Sequence, residues 1–325
     1  MPRTLTRRAT LGGLAAMAST GSLAQAPDWP SRTITIIHGF PAGGPSDLVA
    51  RILSEGLTKA LGQPVVVEAR PGASGTLAAG QVARAAPDGY TLLVIPSGFA
   101  SAAATFAHLP YRSIEDFTPI SIVSEYPYLM CTNAASGIKT VADLIKAAKT
   151  RPTPLLYGSP GVGSGPQLAI ELFALKAGVK FQHVPYHGSA PAAADLLAGR
   201  LDFMMDPPTD LIGFARSGKL NALAVSSAKR YFALPDVPTV AESGVPGFGV
   251  SGWQGLTAPA GLPEPILRRL NAEAVRIIKE PATITRLHSF GNEAAPSTPE
   301  QFKKRIVDDI ALWTALADEI HFEKI

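Results

Sequence analysis

Residues 34–51 read ITIIHGFPAGGPSDLVAR. The β-branched run Ile34 to Ile37 predicts a strand, and Gly39, Pro41, Gly43, Gly44 and Pro45 predict a turn. Ser46 and Asp47 then open an amphipathic helix, with Leu48, Ile52 and Leu57 able to share one face. A strand feeding a helix through a glycine turn leaves the helix's first N–H groups unpaired. With the positive end of the helix dipole, those donors suit a carboxylate or a phosphate. The same pattern also describes an ordinary strand-to-helix connection capped by Ser or Asp.

Turns of this kind recur. Arg70-Pro71-Gly72-Ala73-Ser74-Gly75, Pro96-Ser97-Gly98 and Tyr157-Gly158-Ser159-Pro160-Gly161-Val162-Gly163-Ser164-Gly165 each follow an apolar run. Four such turns, mixing Gly with Ser, suggest backbone N–H groups converging on one anion. Gly and Pro number 30 and 29 of 325 residues, above the ~12% of an average protein, and they punctuate alternating strand and helix signals. Strands are expected at 33–38, 64–68, 91–95, 119–124, 127–132, 154–158, 181–184, 201–205 and 221–225. Helices are expected at 46–61, 75–85, 140–149, 165–177, 189–198, 209–217, 265–279 and 299–319. This alternation implies an α/β fold with mainly parallel sheets, whose binding sites lie at the carboxyl ends of strands.

The first 24 residues have the pattern of an export signal. Arg3, Arg7 and Arg8 precede the apolar stretch Leu11 to Ala18, and Ser22-Leu23-Ala24 suits cleavage after Ala24. The apolar stretch falls short of the ~20 residues that span a bilayer. Thr6-Arg7-Arg8 also fits a twin-arginine signal, so the export route stays open. Of 29 Lys and Arg, three lie in this signal, which has no acid; the remaining 26 balance 26 Asp and Glu. A neutral mature chain gives no electrostatic case for nucleic acid. Cys131 is the single cysteine, which rules out an intrachain disulfide and reads as a buried apolar residue.

Motifs for several chemistries are missing. There is no His-Glu-x-x-His, the six His are not clustered, and Pro185 separates His183 from His187. No Ser sits in Gly-x-Ser-x-Gly. Gly213 to Leu220 nearly spells a P-loop, but Leu220 replaces the hydroxyl residue and Gly218 reads as a helix C-cap. Pro166 stands where a dinucleotide fingerprint needs its third glycine.

Gly39-Phe40-Pro41-Ala42-Gly43-Gly44 with Asp47 and Ala50-Arg51 resembles the signature of the Bug family of periplasmic solute-binding proteins, receptors of tripartite tricarboxylate transporters. The resemblance runs on through Arg70-Pro71-Gly72-Ala73, Pro87 to Leu92, Asp116 to Ile120, Val184-Pro185-Tyr186 with Gly188, and Pro235 to Glu242. It ends at Trp253-Gln254-Gly255-Leu256 and Ala258 to Gly261. It implies a two-lobed, type II-like periplasmic-binding-protein fold with two hinge crossings, expected near 124 and 250. Lobe 1 would comprise residues 25–124 and 251–325, and lobe 2 residues 125–250. It also implies a monomer without cofactor, metal or catalysis, which binds a small carboxylate through backbone amides and ordered water and serves transporter membrane subunits. Carried over, the first-lobe contacts are Phe40, Pro41, Ala42, Gly43, Gly44, Ser46, Asp47, Ser74 and Ser97. The second-lobe contacts are Ser159, Gly163, Ser164, Gln167, Tyr186 and Asp206.

Several of these residues have a second, purely structural reading. Phe40 also reads as a simple apolar plug, Asp47 as an N-cap or water holder, Ser164 as a cap, Asp206 as a turn residue before Pro207-Pro208, and Trp253 as hinge packing. Two positions depart from the family pattern. His38 replaces an apolar residue, and Gln167 stands where many members have His. An amide supplies no positive charge, so the Gln167 departure implies a ligand whose distal end is neutral or hydrogen-bonding. The rival readings are a secreted α/β enzyme with Asp206 or His38 as general base, and a ligand-sensing subunit for a membrane signalling partner.

Overall fold

The computed structural model describes residues 29–325. The export signal and its cleavage site lie outside the described residues. The chain runs β1 (Ile34–His38), α1 (Pro45–Leu61), β2 (Val65–Ala69), α2 (Thr76–Ala83), β3 (Thr91–Pro96), α3 (Gly98–Thr105), β4 (Phe117–Pro127) and β5 (Leu129–Asn133). It continues through α4 (Val141–Thr150), β6 (Leu155–Ser159), α5 (Gly165–Ala177), β7 (Phe181–Pro185), α6 (Ser189–Leu197), β8 (Phe203–Asp206), α7 (Pro208–Arg216) and β9 (Leu220–Val225). It closes with β10 (Ser251–Pro259), α8 (Glu264–Ile278), α9 (Pro281–Ser289), β11 (Glu293–Ala294) and α10 (Pro299–Glu319).

Two sheets form the cores of two lobes. The first has the order β11-β4-β10-β3-β1-β2 and the second β7-β6-β8-β5-β9. Strands β1, β2 and β3 pair parallel, as do β6, β7 and β8. Around the crossings the pairing is antiparallel: β10 lies between β3 and β4, and β5 between β8 and β9. The sheets are therefore mixed, because the strands that travel between lobes enter against the direction of the βαβ units. The chain passes from the first sheet to the second at Tyr128 and returns after β9 to start β10 at Ser251.

Local chemistry accounts for the element ends. Pro45 sits at the first turn of α1, where a missing N–H costs nothing, and Gly62 closes the helix with φ 69°. Thr140 with Asp143 and Thr298 with Gln301 form capping boxes on α4 and α10. Helix α1 buries Leu48, Val49, Leu53 and Leu57 against the first sheet, and α5 buries Leu168, Ile170 and Phe173 on the second.

Four regular segments were not expected from sequence: β10, α3, α9 and the two-residue β11. β10, SGWQGLTAP, is buried almost throughout, so it lacks the polar alternation that marks a half-exposed strand. α3 reads GFASAAAT and shows no apolar face contrast, and α9 begins at Pro281 directly after α8. The α3 start is pinned by an aromatic cluster: Phe99 stacks on Tyr111 at 5.3 Å and meets Phe117 edge-on at 5.2 Å. Trp253 is fully buried, packs edge-on against Phe302 at 5.2 Å and donates to the Asp309 carboxylate at 2.7 Å, which ties β10 to α10.

Candidate functional site

The carboxyl ends of the parallel strands of both sheets face one another across a cavity of about 230 Å³. The βα turn after each parallel strand contributes to its wall. Phe40 follows β1, Ser74 follows β2, Ser97 and Gly98 follow β3, Pro160 to Gly165 follow β6, Ser189 starts α6, and Asp206 ends β8. Ser101, Ala102 and Phe106 come from α3 and its end, and Tyr126 and Tyr128 come from the crossing between the sheets.

The first-lobe turns stack backbone on backbone. A Cβ on Gly39 would lie 2.3 Å from the Cα of Gly75, so this approach needs a residue without a side chain. Behind Phe40, Asp47 is nearly buried. It accepts hydrogen bonds from the Gly43 amide at 2.9 Å and the Arg51 Nε at 2.8 Å, and its second oxygen meets His38 Nε2 at 3.2 Å. Burial pushes the Asp47 carboxyl up, but Arg51 and the Gly43 amide outweigh it and hold the group below its ordinary range. His38 is 0% exposed, and burial lowers its pKa against the pull of Asp47. Ser46 donates to the Gln254 side-chain oxygen at 3.0 Å.

The second-lobe turn is braced from behind. The Gly163 amide donates to Gln167 Oε1 at 2.7 Å, and Ser164 caps α5 by accepting from the Gln167 amide. Ser159 is buried at the end of β6, donates to the Gly161 carbonyl at 3.0 Å and meets His183 Nε2 at 2.7 Å. A hydroxyl has one proton, so the Ser159 proton serves either the Gly161 carbonyl or His183 Nε2, according to the His183 tautomer. These bonds hold the turn in place. Burial lowers the His183 pKa to about 4. Tyr186 is turned away and donates to Asp195 at 2.7 Å.

Of the residues expected at the site, Phe40, Ser74, Ser97, Gly163, Ser164 and Asp206 line the cavity. Pro41, Ala42, Gly43, Gly44, Ser46, Asp47, Ser159, Gln167 and Tyr186 lie outside its lining. Gln167 does not face the cavity, so the inference drawn from its lack of charge loses its structural basis. The sequence reading missed Tyr126, Tyr128, Ser101, Phe106 and Ser189. The two tyrosines lie in the crossing strand, and nothing local distinguishes them from core.

Asp206 is the unusual group. It is 0% exposed, and neither of its carboxyl oxygens has a hydrogen-bond partner. Burial drives its pKa well above the ordinary carboxylate value, and Asp210 adds to this. Ser189 is near enough to pull the other way without reaching hydrogen-bond geometry. Burial also pushes the Tyr126 hydroxyl up to about 12, and the Asp206 charge adds to the effect.

The sequence profile described as tripartite tricarboxylate transporter family receptor matches residues 49–322. The chain belongs to this receptor family. A curated relative from Pseudomonas sp. strain P51, a protein in the tcbD-tcbE intergenic region, is 38% identical over 316 residues, which cover 96% of this chain and 94% of that protein. An R. palustris protein solved with adipate is 33% identical with a TM-score of 0.81, covering 92% of this chain and 100% of the other. The periplasmic binding protein BugD is also 33% identical, with a TM-score of 0.78, and covers 91% and 100%. The family and its solved members share the two-lobed α/β architecture described above, and the family is one of solute-binding receptors.

Within that architecture the cavity offers two kinds of contact. The N–H groups of Gly98 and Phe99 at the start of α3 and of Gly165 at the start of α5 have no hydrogen-bond partner among the described residues, whereas Pro166 has no N–H and that of Gln167 is taken by Ser164. Facing them are apolar walls from Phe40, Ala102, Phe106 and Val162, with no Lys, Arg or His in the lining. Such a site can hold one anionic group by aligned dipoles and an apolar body by burial.

Proposed function

We propose that this chain is a periplasmic receptor that captures a small carboxylate between its lobes and presents it to the membrane subunits of a tripartite tricarboxylate-type transporter. The observation that carries this reading is the convergence of all the parallel strand ends of both lobes on one cavity without a reactive side-chain pair. A solved relative with adipate supports the carboxylate class, and the family description supports the transporter partner.

Lobe 1 is then residues 25–124 with 251–325, lobe 2 is residues 125–250, and the molecule acts as a monomer without catalysis. The carboxylate lies against the amides that open α3 and α5, beside Ser74, Ser97 and Ser164. Phe40 and Gly163 close over it. Pro41 to Gly44, Ser46 and Asp47 shape the first turn, Ser159 and Gln167 shape the last, and Tyr186 stands behind it. Aligned N–H donors offset the hydration that the carboxylate loses. Closure of the second lobe excludes water and gives the membrane subunits a distinct form to recognise.

The test is mass spectrometry of small molecules released on denaturing the purified protein, followed by calorimetry with the acid identified. One unmodified acid per chain is expected, with affinity in the micromolar range, about −8 kcal/mol. Recovery of a chemically altered acid after incubation with the protein would sink this reading.

A further inference from the structure

The two lobes also touch away from the cavity, through Tyr231 and Gly291. Tyr231 follows β9 and is 1% exposed, with its ring in the core of the second sheet beside Leu129, Leu211 and Val225. Its hydroxyl reaches out of that core and donates to the Gly291 carbonyl at 2.6 Å. Gly291 lies between α9 and β11 and is held to the first lobe on both sides. Its amide donates to the His288 carbonyl at 3.0 Å, Asn292 Nδ2 donates to Ser124 Oγ at 3.2 Å, and Glu293 and Ala294 pair with β4. Phe232 adds a stack on His288 at 4.2 Å. Both ends of this seam are therefore anchored, and a displacement there passes to whole lobes.

Sheet order puts the seam across the crossing strands from the cavity. In the first sheet the cavity turns follow β1, β2 and β3, while Gly291 adjoins β11, on the far side of β10 and β4. In the second they follow β6, β7 and β8, while Tyr231 follows β9, on the far side of β5. Lobes rotating about the crossing strands themselves would part at the cavity and press together at the seam. The seam has no room for that. A Cβ on Gly291 would lie 2.7 Å from the Tyr231 hydroxyl and 3.4 Å from Pro208, the first residue of α7. A packed contact does not compress, so the axis of opening runs through the seam instead.

We propose that the Tyr231–Gly291 contact is the pivot on which the lobes open and close, and that it fixes how far the ligand-free cavity gapes. The proposal rests on the receptor reading above, in which the lobes move. A pivot of this kind acts with a lever's sign: thickening it closes the cavity side, and thinning it opens that side.

The test measures the distance between spin labels on Leu77→Cys in α2 and Leu175→Cys in α5, one in each lobe, in dialysed ligand-free protein. Both positions are exposed, and Cys131 is fully buried and does not compete for label. Gly291→Ala puts a methyl group into the seam. It should shorten the label distance by roughly 2 Å or more, because a 2.7 Å contact must relax and the cavity side amplifies the shift. Tyr231→Leu keeps an apolar anchor in the second core, withdraws the hydroxyl and should lengthen the distance by a similar amount. In the double variant the methyl group meets no hydroxyl, so the distance should follow Tyr231→Leu. The left-handed backbone of Gly291, φ +76°, costs Gly291→Ala some stability, which thermal melts report separately from the distance.

Opposite shifts from the two sides of one contact mark a pivot; a bond that only stabilises the fold does not produce them. Shifts of the same sign in the two single variants, or no shortening in Gly291→Ala, overturn the proposal. So does a shortening that Gly291→Ala still produces in the Tyr231→Leu background. Should Tyr231→Leu fail to fold, Gly291→Ala decides alone. No acid enters the measurement, so a negative result leaves the receptor reading standing, whereas failure of that reading shows in the released-ligand assay.

Discussion

Gln167 Oε1 takes the hydrogen of the Gly163 amide at 2.7 Å, closing the last glycine turn onto the first turn of α5. The bond braces a loop that lines the cavity through a residue outside that lining. Gln167→Ala leaves the Gly163 N–H bare and frees the turn, at a cost of ~1–3 kcal/mol shared between stability and binding. Calorimetry should show roughly tenfold weaker acid binding, with Gln167→Glu recovering part of it because a carboxylate oxygen can accept the same hydrogen.

Gly163 also sets the closeness of the lobes. Its φ is +75°, and a Cβ there would lie 2.7 Å from Thr105 Oγ1 at the end of α3. Thr105 cannot simply rotate away, since its hydroxyl donates to the Ser101 carbonyl at 3.0 Å. Gly163→Val should therefore hold the lobes apart, beyond the ~1–2 kcal/mol cost of a left-handed backbone for a residue with a Cβ. Small-angle scattering should show a larger radius with saturating acid than the wild type has, and affinity should fall more than tenfold.

Asp47 serves the fold more than the ligand. It joins Gly43, Arg51 and His38, and it lies outside the cavity lining. Asp47→Ala removes the partner of a buried histidine and of a turn amide. About 2 kcal/mol of stability should be lost in chemical denaturation. Acid binding by the folded fraction should change by less than about threefold.

The extent to which the molecule was legible in its sequence follows from where its information is local. The glycine turns were visible because Gly, Pro and Ser at strand ends have few other uses, and the turn from Ser159 to Gly165 does line the cavity or brace it. Helices α1, α5 and α10 were visible through their periodicity and caps. β10 was not, because two glycines weaken strand propensity and burial on both faces erases alternation; its place between β3 and β4 is set by partners more than 100 residues away. The same long-range placement hides Tyr126 and Tyr128. The bracing role of Gln167 was not legible, because residue type says nothing about which way an amide points.

His183 gives the protein an acid-side limit. Burial lowers its pKa from the ordinary 6.5 to about 4. Between these values the unfolded chain binds a proton that the native chain refuses, so the stability is present above about 6.5 and is lost as the pH falls toward 4. Denaturation midpoints should decline over that window, and His183→Gln should flatten the decline. Imidazole resonances in the folded protein should show His183 still neutral at pH ~6.

Asp206 gives a slope of the opposite sign. Its folded pKa lies well above the ordinary 3.8 because burial disfavours the charged form. As the pH rises above that ordinary value, the unfolded chain releases a proton that the native carboxyl keeps, so folding loses free energy until the folded pKa is passed. Below the ordinary value both states hold the proton and the effect vanishes. Asp206→Asn removes this group while keeping its size. The ligand-free variant should match the wild type in strong acid and gain on it steadily toward neutral pH. Paired thermal melts across that range measure the difference. A gap that stayed constant with pH would mean that Asp206 does not titrate differently in the two states.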